Sequence, residues 1–322
     1  MPWGCAITVG DLGEFGVIQR ISGRLPRTAA VLLGPGDDAA ILKAPDGRVV
    51  VSTDLLIEGR HFRRDWSSGY DIGRKAAAQN LSDIVAMGAD PTALVVGLGL
   101  PADVGADWVD ALTDGFRDEC DLVGATVAGG DIARSETVVL GVTALGDLGG
   151  RSPVTRSGAR PGDVVAVAGR LGYAAAGLAL LGAGVTGGSP DLVTLLEAHR
   201  RPRPPYPCGP RAALLGATAM LDVSDGLLQD LGHVADASGV AVELDAAALR
   251  VPQALSVAAR DLGADPLEWV LTGGDDHALA ATFPPEVRLP PEWTRIGVVA
   301  EGRGVRVGGQ TWTRGGWDHF RA

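Results

Sequence analysis

Lysine is nearly absent from this chain: Lys43 and Lys75 are the only two among 28 basic residues. Positive charge therefore rests on arginine, whose planar guanidinium makes forked contacts with carboxylate and phosphate oxygens. A formal net charge of -11 excludes a nucleic-acid face, which needs clustered basic side chains to displace counterions. Cysteine is scarce as well. Cys5, Cys120 and Cys208 are odd in number, far apart and without a CxxC spacing, so all three read as reduced thiols. His61, His199, His233, His277 and His319 form no HExxH pair, which leaves zinc hydrolysis without support. No GxxxxGK[ST], no strand-to-helix GxGxxG, no protein-kinase signature and no GxSxG elbow occurs. Long apolar runs are missing too: even VVAVAGRLGYAAAGLALLGAG is broken by Arg170. The start, MPWGCAITVGDLGEFG, lacks a basic segment followed by an apolar one. These absences lead to the expectation of a soluble, cytoplasmic protein without membrane or nucleic-acid partners.

What is present is glycine and proline, 47 and 20 residues, set among 46% hydrophobic residues. Such punctuation predicts many short elements, and 322 residues predict two compact lobes. The hydrophobic patterns place strands at Ala39 to Leu42, Arg48 to Ser52, Leu94 to Leu100 and Val138 to Leu145. They place helices at Gly69 to Met87, closed by Gly88, and at Ala106 to Leu122. The segment GDLGGRSPVTRSGARPGD, poor in apolar residues, sets the boundary, giving lobes 1–148 and 149–322. In the second lobe, strands are expected at Asp163 to Val167, Met220 to Val223, Val240 to Leu244 and Trp269 to Leu271. Helices are expected at Ala174 to Leu181, in a stretch ending at His199, and at Gly226 to Ser238. RPRPPYPCGP reads as an extended connector, because a proline disfavours the helical region for the residue before it.

Aspartates stand where apolar runs break into small residues: GPGDDAA, VVVSTD, NLSD, VAGGD, LDVSD and LTGGDD. Acids gathered without bases repel one another, and hard oxygen ligands select Mg²⁺ or Ca²⁺. Ser52, Thr53 and Asp54 offer two hydroxyls and a carboxylate for a cation, or they cap the following turn. Asp37 and Asp38 point to opposite sides if extended, so one of them is expected to reach a site. Asn80, Asp83 and Met87 fall within about one helical turn of each other in successive steps. Asp83 there is either a solvated helix-face acid or a ligand. GGDIAR reads as an anion-binding turn with Gly129, Gly130 and Asp131, or as a simple glycine turn. In LDVSDGLLQDLGH, Asp222 and Ser224 share one side of a strand, while Asp225 and Gly226 lead into a helix. That helix start either receives phosphate oxygens or is capped by Ser224 and Asp225.

Nearly end to end, these motifs resemble the thiamine-monophosphate kinase family, within the aminoimidazole ribonucleotide synthetase-like superfamily of ATP-dependent enzymes. The resemblance is carried by VGDLGEFGVI, GPGDDAA, VVSTDLLIEGRHF, KAAAQNLSDIVAMGADP, GGDIAR, GRSPVTRSGARPGD, LDVSDGLLQDLGH, LTGGDD and GGWDHF, in family order. It implies an α/β (α+β) fold of two lobes, with the amino-terminal ATP- and metal-binding lobe pairing in a homodimer. It implies several Mg²⁺ ions held by Asp38, Ser52, Thr53, Asp54, Asp83, Asp131, Asp222 and Asp225. ATP contacts fall on Gly130, Asp131, Arg156 and Ser224, and contacts to thiamine phosphate on His61, Asp275 and Trp317. The chain departs from the family where GGEDYEL is usual: it reads GGDDHAL, with a shorter acid at Asp275 and with His277 and Ala278 after it.

The implied reaction moves the γ-phosphoryl group of ATP onto thiamine monophosphate, with Asp54, Asp83, Asp131, Asp222 and Arg156 as its machinery. The acceptor is a phosphate monoester whose second pKa is about 6, so no general base is required. Two readings compete with it. Another enzyme of the superfamily would use a different acceptor, although Cys5 has no lysine beside it as a selenophosphate synthetase requires. A binding protein that has lost turnover is the second.

Overall fold

The computed structural model describes residues 7–34, 40–311 and 316. Asp37, Asp38, Trp317 and Cys5 lie outside them. The chain divides into two compact units, Met1–Ile84 with Asp90–Gly149, and Val85–Ala89 with Gly150–Ala322.

The first unit runs α1 (Val9–Ser22), β1 (Val31–Leu33), β2 (Ile41–Leu42), β3 (Val50–Ile57), α2 (Gly69–Ala86), β4 (Asp90–Leu100), α3 (Ala106–Asp121), β5 (Val127–Arg134) and β6 (Val139–Asp147). Thr8 and Asp11 start α1 by a reciprocal capping box. Arg20 and Arg24 on α1 reach Asp110 and Asp114 on α3, at 2.6 Å for Arg20 Nε to Asp110 Oδ1 and 2.7 Å for Arg24 to Asp114. β3, β6, β4 and β5 form a four-stranded sheet in that order. Along β6, Leu140, Val142 and Ala144 are buried and alternate with half-buried neighbours, so one face is packed and the other open.

The second unit runs β7 (Val164–Ala168), α4 (Tyr173–Gly182), α5 (Pro190–Arg200), α6 (Cys208–Leu215), β8 (Ala219–Val223), α7 (Leu227–Ser238), β9 (Ala241–Leu244), α8 (Gln253–Leu262), α9 (Pro266–Thr272), β10 (Ala278–Phe283), β11 (Trp293–Ala300), β12 (Gly304–Val307) and β13 (Gln310–Thr311). Its seven strands are ordered β13-β12-β9-β11-β7-β10-β8. β7, β8 and β10 are buried at every position. Val165, Val167, Leu221, Val223 and Ala280 pack with Leu227, Leu231 and Val234 of α7. Strand alternation therefore turns Asp222 to the other face of the sheet.

Three local expectations change. Trp269 to Leu271 is helical, inside α9, because Asp265 caps Leu267 N–H at 2.9 Å and Pro266 opens the first turn. The proline-rich connector gives way to α6 at Cys208. Pro210 sits in the first turn of that helix, where its missing N–H breaks no bond. GGDIAR is part of strand β5, paired parallel to β4, rather than a turn. A Cβ on Gly130 would lie 2.0 Å from the Val96 carbonyl oxygen, so the glycine serves close strand approach.

Candidate active site

In the first unit, β3 and α2 bring together residues distant in sequence. Ser52 Oγ donates to Asp83 Oδ2 at 2.6 Å, and Gln79 Nε2 donates to Asp54 Oδ2 at 3.0 Å. Alternation along β3 puts Thr53 on the opposite face, where its hydroxyl donates to the Val142 carbonyl at 3.0 Å. Asn80 is fully buried one turn before Asp83; its Nδ2 donates to the Ala76 carbonyl, and its Oδ1 has no hydrogen-bond partner among the described residues. A buried oxygen of that kind calls for a cation or water. Asp131 is exposed on β5, opposite Gly97 of β4. His61 Nδ1 accepts the Ile57 N–H at 3.0 Å, so a neutral His61 carries its proton on Nε2.

In the second unit, backbone bonds tie the end of β8 to the GGDDH turn. Asp275 N–H donates to the Ser224 carbonyl at 2.9 Å and His277 N–H to the Val223 carbonyl at 3.1 Å. Asp275 and His277 are held at φ 66° and 51°, the left-handed region that non-glycine residues rarely occupy. His277 Nδ1 meets Asp222 Oδ2 at 3.0 Å, both side chains buried. Neither Ser224 nor Asp225 caps α7. Instead Asp230 reaches back and accepts the Asp225 and Gly226 N–H groups, each at 3.0 Å. These two donors belong to the N-cap residue and the one before it. Burial pushes the Asp230 carboxyl up to about 7, and the charges of Asp225 and Asp222 add to the rise. Arg156 is exposed; its own carbonyl accepts from Ser238 Oγ at 3.0 Å, and the neighbouring Thr155 carbonyl accepts the Met220 N–H at 3.1 Å.

Asp276, one of the acids expected to gather round cations, has a structural role instead. It is buried, and its Oδ1 accepts the Ala174 N–H at 3.0 Å, capping α4 from 102 residues away. Burial pushes its carboxyl up to about 7, from an ordinary value of 3.8. A carboxyl whose folded pKa is raised binds a proton more tightly in the folded state, so its contribution to stability falls as pH climbs from about 4 to about 7. Asp276→Asn keeps an acceptor oxygen and cannot ionise. Urea midpoints at pH 5 and pH 8 should move in the variant's favour at the higher pH; a difference independent of pH would count against this.

Every donor named above is a hard oxygen or nitrogen. Among the described residues, however, no three His, Cys, Asp or Glu side chains gather closely enough to hold a metal ion. Likewise, no helix among them is long and apolar enough to cross a membrane.

The AIR synthase related protein N-terminal domain matches residues 36–148, and its C-terminal domain matches 160–310. The thiamine-monophosphate kinase of Mycobacterium tuberculosis is 52% identical over 316 residues, which is 97% of this chain and 93% of that protein. The crystal structure of the thiamine-monophosphate kinase from Stenotrophomonas maltophilia K279a superposes with a TM-score of 0.82 at 38% identity, covering 92% of this chain and 96% of that one. AaThiL complexed with AMPPCP and TMP gives 0.78 at 32% identity, covering 96% and 98%.

Proposed function

Since the chain belongs to the thiamine-monophosphate kinase family of AIR synthase related proteins, we propose that it transfers the γ-phosphoryl group of ATP to thiamine monophosphate, giving thiamine diphosphate and ADP. Near end-to-end identity with the mycobacterial kinase carries this reading. The AaThiL complex, with the ATP analogue AMPPCP and TMP together, supports the substrate pair.

An oxygen of the acceptor phosphate attacks the γ-phosphorus in line, and the bond to the β,γ-bridging oxygen breaks, leaving with its electron pair as ADP. With a second pKa of about 6, the acceptor is already mostly a dianion at neutral pH. The barrier is then the approach of one polyanion to another, lowered by positioning and by fixed positive charge. Arg156 is the proposed protein cation at the phosphates, with Gly130, Asp131 and Ser224 at the nucleotide. His61, presenting Nε2–H, and Asp275 are proposed at thiamine phosphate.

Mg²⁺ typically takes one or two carboxylates and completes its octahedron with water and substrate phosphate oxygens. Sets of two acids fit that pattern: Asp54 and Asp83 with Ser52 in the first unit, Asp222 and Asp225 in the second. The buried unpartnered oxygen of Asn80, beside Asp83, fits an environment completed by an ion or water. Asp131 completes the proposed ligands; Thr53, whose hydroxyl lies on the opposite face of β3, does not join them through its side chain. When bound, Mg²⁺ would neutralise charge on the transferring phosphate oxygens. The test is purified protein with ATP, Mg²⁺ and thiamine monophosphate, followed by chromatography. Magnesium-dependent thiamine diphosphate is expected; intact substrate alongside bound ATP would overturn the assignment.

A homodimer through the first unit is part of the same proposal. On the open face of the four-stranded sheet, Val51 is 63% and Leu55 58% exposed, with Thr53 between them. An apolar sheet face of this kind calls for cover. Light scattering after size exclusion should give twice the chain mass, and Leu55→Asp should give the monomer; a monomeric wild type would refute the pairing.

A further inference from the structure

We propose that His277 is a positioning residue, which holds the Asp222 carboxylate by one oxygen so that the other is presented in a fixed direction to a divalent cation. The inference rests on the reading of Asp222 as a magnesium ligand in the proposed kinase. Its support is geometric. Asp222 lies on β8 in register with Leu279 of β10, and His277 stands immediately before that strand. His277 is 1% exposed and Asp222 6%. Their contact, Nδ1 to Oδ2 at 3.0 Å, joins residues 55 positions apart in sequence. An ionised carboxylate only accepts, so Nδ1 carries the hydrogen.

The backbone of His277 is fixed as well, by its N–H bond to the Val223 carbonyl at 3.1 Å. Its φ of 51° is a costly conformation that persists because both ends of the residue are held. Histidine belongs with asparagine and aspartate among the non-glycine residues that best tolerate this region. Nδ1 is bonded directly to Cγ, so the donor sits close to the fixed main chain and its direction follows from the backbone. Hydrogen-bond partners of metal-ligating carboxylates commonly govern affinity by about 10- to 100-fold.

Two substitutions separate positioning from packing. Asparagine carries its amide nitrogen on Cγ, where histidine carries Nδ1, and it tolerates positive φ. Phenylalanine keeps a ring and loses the donor. Binding of Mn²⁺ in the presence of AMPPCP, followed by electron paramagnetic resonance on the full chain, should weaken by at least about tenfold in His277→Phe. It should stay near wild type in His277→Asn. Imidazole ¹⁵N shifts of the wild type should report the Nδ1–H tautomer, a readout that needs no variant to fold.

An Nε2–H tautomer at His277, wild-type Mn²⁺ binding by the phenylalanine variant, or equal weakening in both variants would each overturn the proposal. None of these readouts depends on turnover. A wild type that shows them all and forms no thiamine diphosphate would sink the kinase reading and leave this one standing.

Discussion

Asp222→Asn is expected to lower the rate of thiamine diphosphate formation by about 10²-fold or more while the protein stays folded, since removing one preorganised electrostatic element of a site typically costs 10²–10³ in kcat. The substitution keeps shape and an acceptor oxygen for His277 Nδ1, which lies 3.0 Å away in the wild type. What it removes is a buried negative charge. That charge is one of those pushing the Asp230 carboxyl up to about 7, so its loss relieves repulsion in the folded state. Melting temperature at pH 8 should therefore be unchanged or raised as turnover collapses, the pattern of a site that trades stability for chemistry. Wild-type turnover in a folded Asp222→Asn protein would remove this residue from the machinery. The same comparison with Asp54→Asn tests the first unit, where an amide oxygen can still accept from Gln79 Nε2, 3.0 Å away in the wild type.

Gly226→Ala should destabilise the protein by roughly 2 to 5 kcal/mol, adding strain of roughly 1–3 kcal/mol to overpacking of a similar size. Gly226 has φ 123° and ψ 143°, a conformation left almost entirely to glycine. An added Cβ would lie 2.5 Å from the Thr272 carbonyl oxygen and 2.7 Å from its carbon, and backbone cannot swing aside as a side-chain tip can. The turn carrying Asp275 would have to separate from the end of β8. Gly239→Ala is the control: φ is 69° there, with no atom within 4 Å of the new methyl group, so only the conformational cost of roughly 1–2 kcal/mol remains. Urea unfolding of the two variants should separate them clearly, and equal losses would show that the contact with Thr272 is not what matters.

Much of the molecule is legible in its sequence. The period of apolar residues marks α2 and α3, and the short apolar runs read as strands at Asp163 to Val167 and Met220 to Val223 correspond to β7 and β8, each shifted or extended by one residue. Other elements were hidden for identifiable reasons. The three-residue apolar run Trp269 to Leu271 carries no period, so strand and helix look alike, although Asp265 followed by Pro266 is an available helix-start signal. Gly129 and Gly130 read as a turn because glycine usually marks one, whereas here Gly130 admits the Val96 carbonyl. Asp230 went unnoticed within LLQDLGH; its place four residues after Gly226 was the signal that it could reach back to the helix start.

The sequence by itself determined the inventory and its order: oxygen donors at the ends of apolar runs, arginine in place of lysine, no P-loop, and motifs in the succession of one family. These are properties of residue type and spacing, which a chain carries whether folded or not. Tertiary structure alone decided what each acid does. Strand register and helix packing couple residues far apart in sequence, so that Ser52 bonds Asp83, Asp276 caps α4, and His277 grips Asp222. Desolvation acts only once the chain closes round a group, which is why acids of the same type diverge: Asp131 stays exposed on its strand, while burial pushes Asp230 and Asp276 up to about 7.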